Sequence, residues 1–180
     1  MSTADYRGGR VTPAPPAYNR TLMQAIILFS HGSVLCGADR NLMELAATMR
    51  ARGDAPIVEV AFLNYLQPDL SATVARCSAL GATRIVIAPY FLIAGKFVTE
   101  ELPEAVARAK QENPSVVMLT ANVIGFHPAM VDAVIEAMET ARPPSAWSER
   151  LDDAGSVCRE EPRCPLYGSE VCKAHVEVPA

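Results

Sequence analysis

The stretch Ala25-Ile26-Ile27-Leu28-Phe29-Ser30-His31-Gly32-Ser33 decides the fold. Its apolar run leaves no polar face, so it predicts a strand buried on both sides, as strands inside parallel sheets are. A hydroxyl, an imidazole and a glycine follow at once, the composition of a loop where such a strand opens to solvent. Arg84-Ile85-Val86-Ile87-Ala88 repeats the buried pattern, and Ile57 to Leu63 and Ser115 to Val123 supply two further strands. Between and after them apolar residues recur at helical spacing: Leu42, Leu45, Ala46, Met49; Leu70, Thr73, Val74, Cys77; Leu102, Ala105, Val106, Ala109; and Val131, Val134, Ile135, Met138. Each stripe can cover one face of a sheet. Pro68, Pro103 and Pro128 fall in expected first helical turns, and Gly53 and Gly81 follow helices as C-caps. Alternating strands and helices joined by right-handed crossovers give an α/β fold, an open sheet of four mainly parallel strands with helices on both faces. Ligands of such sheets bind at the carboxyl ends of the strands, which is where His31 stands.

The rest of the chain is organised around this core. Of 180 residues, 50% are apolar and 20% charged, enough for one well-buried domain with tails. Residues 1–21 carry Gly8, Gly9, Pro13, Pro15 and Pro16 and no periodic apolar face, and are expected to be a disordered tail. Residues 22–142 hold the α/β domain. After Pro143-Pro144 a segment to residue 180 has no sustained apolar face but contains Cys158, Cys164 and Cys172. A formal charge of −4 gives no electrostatic footprint for nucleic acid. No apolar run approaches a bilayer span and nothing resembles a signal peptide, so neither a membrane nor export is expected, and the chain is placed in the cytosol. Its five cysteines should then be mostly reduced.

Two groups of residues carry chemistry. His31 is one of only three histidines. Imidazole is the commonest metal ligand and the side chain best able to accept a proton near neutrality, although a histidine can also simply cap a strand end. The second group is the cysteine segment. Cys158, Cys164 and Cys172 can supply three corners of an iron–sulfur or zinc site, or be loose reduced thiols, since their spacing fits neither ferredoxins nor zinc ribbons. Cys36 or His175 would be the fourth ligand. Cys77 lies on a helical apolar stripe and reads as core.

Taken together, the strand-His31-Gly32-Ser33 start, Val58 to Leu63 followed by Pro68, the Ala88-Pro89-Tyr90-Phe91-Leu92-Ile93-Ala94-Gly95 turn, Glu101-Leu102-Pro103 and Gly125-Phe126-His127-Pro128 resemble the small class II tetrapyrrole chelatases. The resemblance covers about residues 24 to 140. It implies a flavodoxin-like half-chelatase fold, commonly a homodimer whose two copies enclose a flat macrocycle. It further implies insertion of Co²⁺, or of Fe²⁺ or Ni²⁺, into sirohydrochlorin or a related tetrapyrrole, as in cobalamin and sirohaem synthesis. His31 matches the family's strand-end histidine, as metal ligand and proton acceptor, and His127 its Gly-x-His-Pro turn, as metal ligand or as a hydrogen-bonding anchor. Some chelatases of this kind carry an iron–sulfur cluster in a C-terminal extension, which implies [4Fe–4S] over Zn²⁺ at the cysteines.

The chain also departs from the family. A second histidine is usual where Phe97 stands, and a glutamate where Asn64 ends the second strand. Cys36, as a soft thiolate, and Glu101 or Glu100, when not merely capping a helix, are the candidates to replace them. Tyr90 and Phe97 would either touch a ring face or pack in the core, and Lys96, Arg40 and Arg84 would pair with the ring's carboxylates. The departures motivate two rival functions: a non-catalytic carrier or sensor of a tetrapyrrole, a metal or an iron–sulfur cluster, and a partner subunit completing another chelatase.

Overall fold

The computed structural model describes residues 25–33, 39–141 and 143. The expected N-terminal tail, the loop with Cys36 and the extension with Cys158, Cys164, Cys172 and His175 lie outside the described residues.

The chain forms β1 (Ala25–Ser30), α1 (Arg40–Arg52), β2 (Ile57–Phe62), α2 (Leu70–Ala79), β3 (Arg84–Pro89), a π-helical turn (Phe97–Glu101), α3 (Leu102–Glu112), β4 (Val117–Thr120) and α4 (Ala129–Glu139). The four strands are parallel in the order β2-β1-β3-β4. The first crossover therefore runs to one side of β1 and the second passes back over it, making the gap between β1 and β3 a topological switch point. Residues alternate along β1 as a pleated strand requires. Ala25, Ile27 and Phe29 pack with Leu70, Val74 and Cys77 of α2 and with Leu102, Ala105 and Ala109 of α3. Ile26 and Leu28 pack on the other face with Leu42 and Ala46 of α1 and with Val58, Val60 and Phe62. Helices thus lie on both faces, as the patterning implied.

The helix ends follow local chemistry. Gly53 closes α1 in the left-handed conformation at φ 71°. Asp69 caps α2 by accepting from the Ala72 N–H at 2.8 Å. Asp69→Ala is expected to lower stability by about 1 kcal/mol, read as a drop in the urea midpoint at unchanged slope.

Three details differ from the sequence expectations. Pro68 precedes the Asp69 cap instead of lying in the first turn of α2, and Pro128 likewise takes the position before α4. β4 is shorter than Ser115 to Val123. Val116 still belongs to the turn that ends α3, bonding the Asn113 oxygen, and the ladder closes with Ala121 donating to Ile87. The third concerns α4, whose stripe meets no partner among the described residues: Val131, Val134, Ile135 and Met138 are all exposed, and none of its residues is buried. Val117 and Leu119 of β4 are exposed as well. They pair with Arg84 and Val86, which alternate with the buried Ile85 and Ile87, so they face the side that α1 covers only at its β1–β2 half.

Candidate functional site at the switch point

Ladder hydrogen bonds continue past the ends of β1 and β2. The Leu63 N–H donates to Ser30 and the Asn64 N–H to His31, both at 2.9 Å, which fixes Asn64 beside His31. The chain then reverses, with the Leu66 N–H bonded to the Asn64 oxygen at 2.7 Å and Tyr65 held at φ 63°. Gly32, at φ 83°, passes so close that a Cβ there would stand 2.1 Å from the Asn64 carbonyl oxygen. Glycine is a steric requirement of this crossing.

The half-buried imidazole of His31 is oriented from three sides. Its Nδ1 lies 3.0 Å from the Gly32 carbonyl oxygen. A carbonyl can only accept, so in the neutral imidazole Nδ1 carries the proton and Nε2 is the nitrogen with a lone pair to offer. The Asn64 Nδ2 faces that lone pair at 3.5 Å, a long and weak hydrogen bond. The Phe97 ring lies across the imidazole with centroids 4.2 Å apart at 51°, and Tyr65 meets it edge-on at 5.6 Å and 65°. Phe97 opens the π-helical turn, which the Val98 and Thr99 N–H groups anchor on the Gly95 oxygen. Such insertions recur at functional sites because they re-aim a side chain.

The three positions singled out by family resemblance, His31, Asn64 and Phe97, are therefore brought together. Phe97 remains 37% exposed, so it is not a core residue. Tyr90, at the end of β3, is likewise exposed and lines a cavity of about 170 Å³ with Ser30, Gly32, Ser33, Asp39 and Asn41. Tyr65 was missed by the sequence reading. Only its place after the strand-end asparagine signals it, because neither the reversal nor the positive φ is written in an apolar pattern.

Among the described residues no three His, Cys, Asp or Glu side chains converge to hold a metal, so His31, Glu101 and His127 do not form one three-ligand centre. Glu101 ends the π turn ahead of α3 and makes no side-chain capping bond there. His127 is exposed, and its Nδ1 accepts from the Ala129 N–H at 3.2 Å, tying the loop to the start of α4. Arg84 begins β3, so it stands at the opposite end of the sheet from His31. Arg40 pairs with Glu44 on the surface of α1. Lys96 is exposed immediately before Phe97 and is the cation best placed by sequence for this mouth. Cys77 is fully buried, its thiol pushed up to about 11 by that burial, with Glu59 adding and Arg76 opposing. It is inert core.

A parallel sheet with the strand-end imidazole of His31 beside the switch point defines a doubly wound α/β protein, a class whose ligands bind at such strand ends. Within that class the chain belongs to the CbiX family, whose sequence model matches residues 25–141. It is 27% identical over 144 residues to the chloroplastic sirohydrochlorin ferrochelatase of Arabidopsis thaliana, covering 80% of this chain and 63% of that protein. It is 30% identical over 115 residues to the sirohydrochlorin cobaltochelatase of Priestia megaterium, covering 64% of this chain and 37% of that one. The solved structure of SirB from Bacillus subtilis with Fe³⁺ matches with a TM-score of 0.59 at 27% identity, over 67% of this chain and 48% of SirB. The chain thus matches between about a third and two thirds of the length of these relatives. Among the described residues no helix is long and apolar enough to cross a membrane.

Proposed function

We propose that the protein is a chelatase that inserts a divalent metal, Co²⁺ first and Fe²⁺ or Ni²⁺ as alternatives, into sirohydrochlorin or a related tetrapyrrole. The observation that carries this reading is His31 held at the carboxyl end of β1, its Nδ1 against the Gly32 carbonyl oxygen and its ring between Asn64, Tyr65 and Phe97. The names of the matched relatives, sirohydrochlorin ferrochelatase and cobaltochelatase, supply the substrate class.

The proton count limits how one imidazole can act. Metal entry displaces two pyrrolic protons. While Nε2 holds the ion and Nδ1–H is committed to Gly32, His31 has no site for a proton. It can therefore accept one only after passing the metal to the ring, which frees Nε2. The second proton goes to solvent at this open mouth, because the Asn64 carboxamide is no base. Exposed Tyr65 and Phe97 offer aromatic surface for the flat macrocycle, and Lys96 offers charge for its carboxylates. A second copy of the chain is part of this reading, supported by the uncovered apolar surface of Val117, Leu119 and α4. Cys36, Cys158, Cys164 and Cys172 are soft donors suited to a [4Fe–4S] cluster, with Zn²⁺ as the alternative.

The alternative of a ring or metal carrier without turnover is favoured by one observation, the neutral Asn64 and Phe97 against His31. The test follows the absorbance of sirohydrochlorin under anaerobic conditions with Co²⁺, with and without the full chain. Insertion well above the protein-free rate is expected. Equal rates would remove the enzyme, and a ring that binds without turnover would leave the carrier.

A further inference from the structure

We infer that Asn64 and Phe97 set the order of events at this site, so that His31 takes the metal only after the tetrapyrrole is in place. The inference rests on the chelatase reading and deepens it. In the free protein the group facing Nε2 is neutral, and among the described residues no three His, Cys, Asp or Glu side chains gather to hold a divalent ion. Asn64 presents a neutral carboxamide at 3.5 Å, and the Phe97 ring covers the imidazole at 4.2 Å. A hydrated cation approaching Nε2 would have to turn the Asn64 amide nitrogen away and shed water on the side facing Phe97. From His31 and Asn64 it would gain one neutral nitrogen and at most the carboxamide oxygen. Divalent ions give up water readily only when several donors or negative charges replace it.

The bound ring changes that balance. Its pyrrolic nitrogens stand ready to replace the lost waters, and its peripheral carboxylates draw the cation to the mouth. The apolar surfaces of Phe97 and Tyr65 that repel a hydrated ion are the ones that favour a flat macrocycle. The same two residues therefore weaken metal-first binding and strengthen ring-first binding. Weak binding at His31 also speeds release of the metal to the ring.

Two measurements on the full chain test this. The first is a Co²⁺ titration without ring, by calorimetry and by visible absorbance, of wild type and His31→Ala, so that cobalt held elsewhere subtracts out. The expected result is superimposable curves. A component lost in His31→Ala would overturn the inference, and if it carried a thiolate-to-cobalt absorption it would show a cysteine among the donors. In Asn64→Asp and Phe97→His, which restore an anion and an imidazole, a His31-dependent component should appear, tightened by at least about 100-fold in the double variant, since loss of even an outer-shell partner costs about 10- to 100-fold. The second measurement is order of mixing in a stopped-flow experiment. Preincubation with ring should abolish the lag before insertion and preincubation with Co²⁺ should not. Turnover that is fastest after preincubation with metal would overturn the ordering while leaving the chelatase reading intact. No ring binding and no turnover would end both.

Discussion

Gly32→Ala is expected to destabilise the protein by about 2 to 5 kcal/mol, a large share of the roughly 5 to 15 kcal/mol that holds a domain folded. Two independent terms add. At φ 83° an L-residue pays the left-handed penalty, about 1 to 2 kcal/mol. The new methyl would also stand 2.1 Å from the Asn64 carbonyl oxygen, where no contact is tolerable. Relief requires pushing apart two segments pinned by the Leu63–Ser30 and Asn64–His31 ladder bonds, a packing cost of about 1 to 3 kcal/mol. Urea denaturation followed by far-UV circular dichroism measures the sum. Gly53→Ala separates the terms, because Gly53 has a similar φ of 71° but nothing within 4 Å of the added carbon, so only the backbone cost of about 1 to 2 kcal/mol is expected there. Equal losses for the two variants would mean that the crossing at Asn64 is not tight.

The part of this architecture governed by burial was legible in the amino-acid sequence. A strand such as β1 that is covered on both faces has to be apolar throughout, and helices such as α2 and α3 that each cover one face must carry a stripe, so composition alone reveals them. The stripe of α4 obeys the same rule but meets no partner among the described residues, because a pattern states that a face is apolar without stating what covers it. The site was legible only in part for a different reason. His31 announces itself by following the buried strand. Its neighbours Asn64 and Phe97 come from other segments, and their convergence depends on ladder bonds beyond the strand ends and on a π-helical turn, neither of which leaves a periodic trace. Tyr65 was hidden by the same reversal. Glu101 and His127 were further ligand candidates; among the described residues no three His, Cys, Asp or Glu side chains gather to hold a metal, and the hydrogen bond of His127 to the start of α4 leaves no periodic trace in the sequence.

His31→Ala should reduce insertion by about 10²- to 10⁴-fold, the range typical for losing a positioned proton acceptor, with ring binding within a few-fold of wild type. The asymmetry follows from geometry. The side chain supplies the Nε2 lone pair, whereas the surface offered to the macrocycle belongs to Tyr65 and Phe97, which the substitution leaves in place. Truncation removes a half-buried ring whose only conventional hydrogen bond among the described residues is to the adjacent Gly32, so the loss of stability should be small and the loss of rate cannot be assigned to unfolding. It also empties a slot bounded by Phe97 and Asn64. Added imidazole should enter it and restore part of the rate, more at high pH, where the free base predominates, than at low pH. His31→Gln places a carboxamide near the former Nε2 and should bind metal weakly while accepting no proton, so it should not recover the rate. Insertion by His31→Ala at the wild-type rate would remove His31 from the reaction, and with it the reason for reading this mouth as the place where metal meets ring.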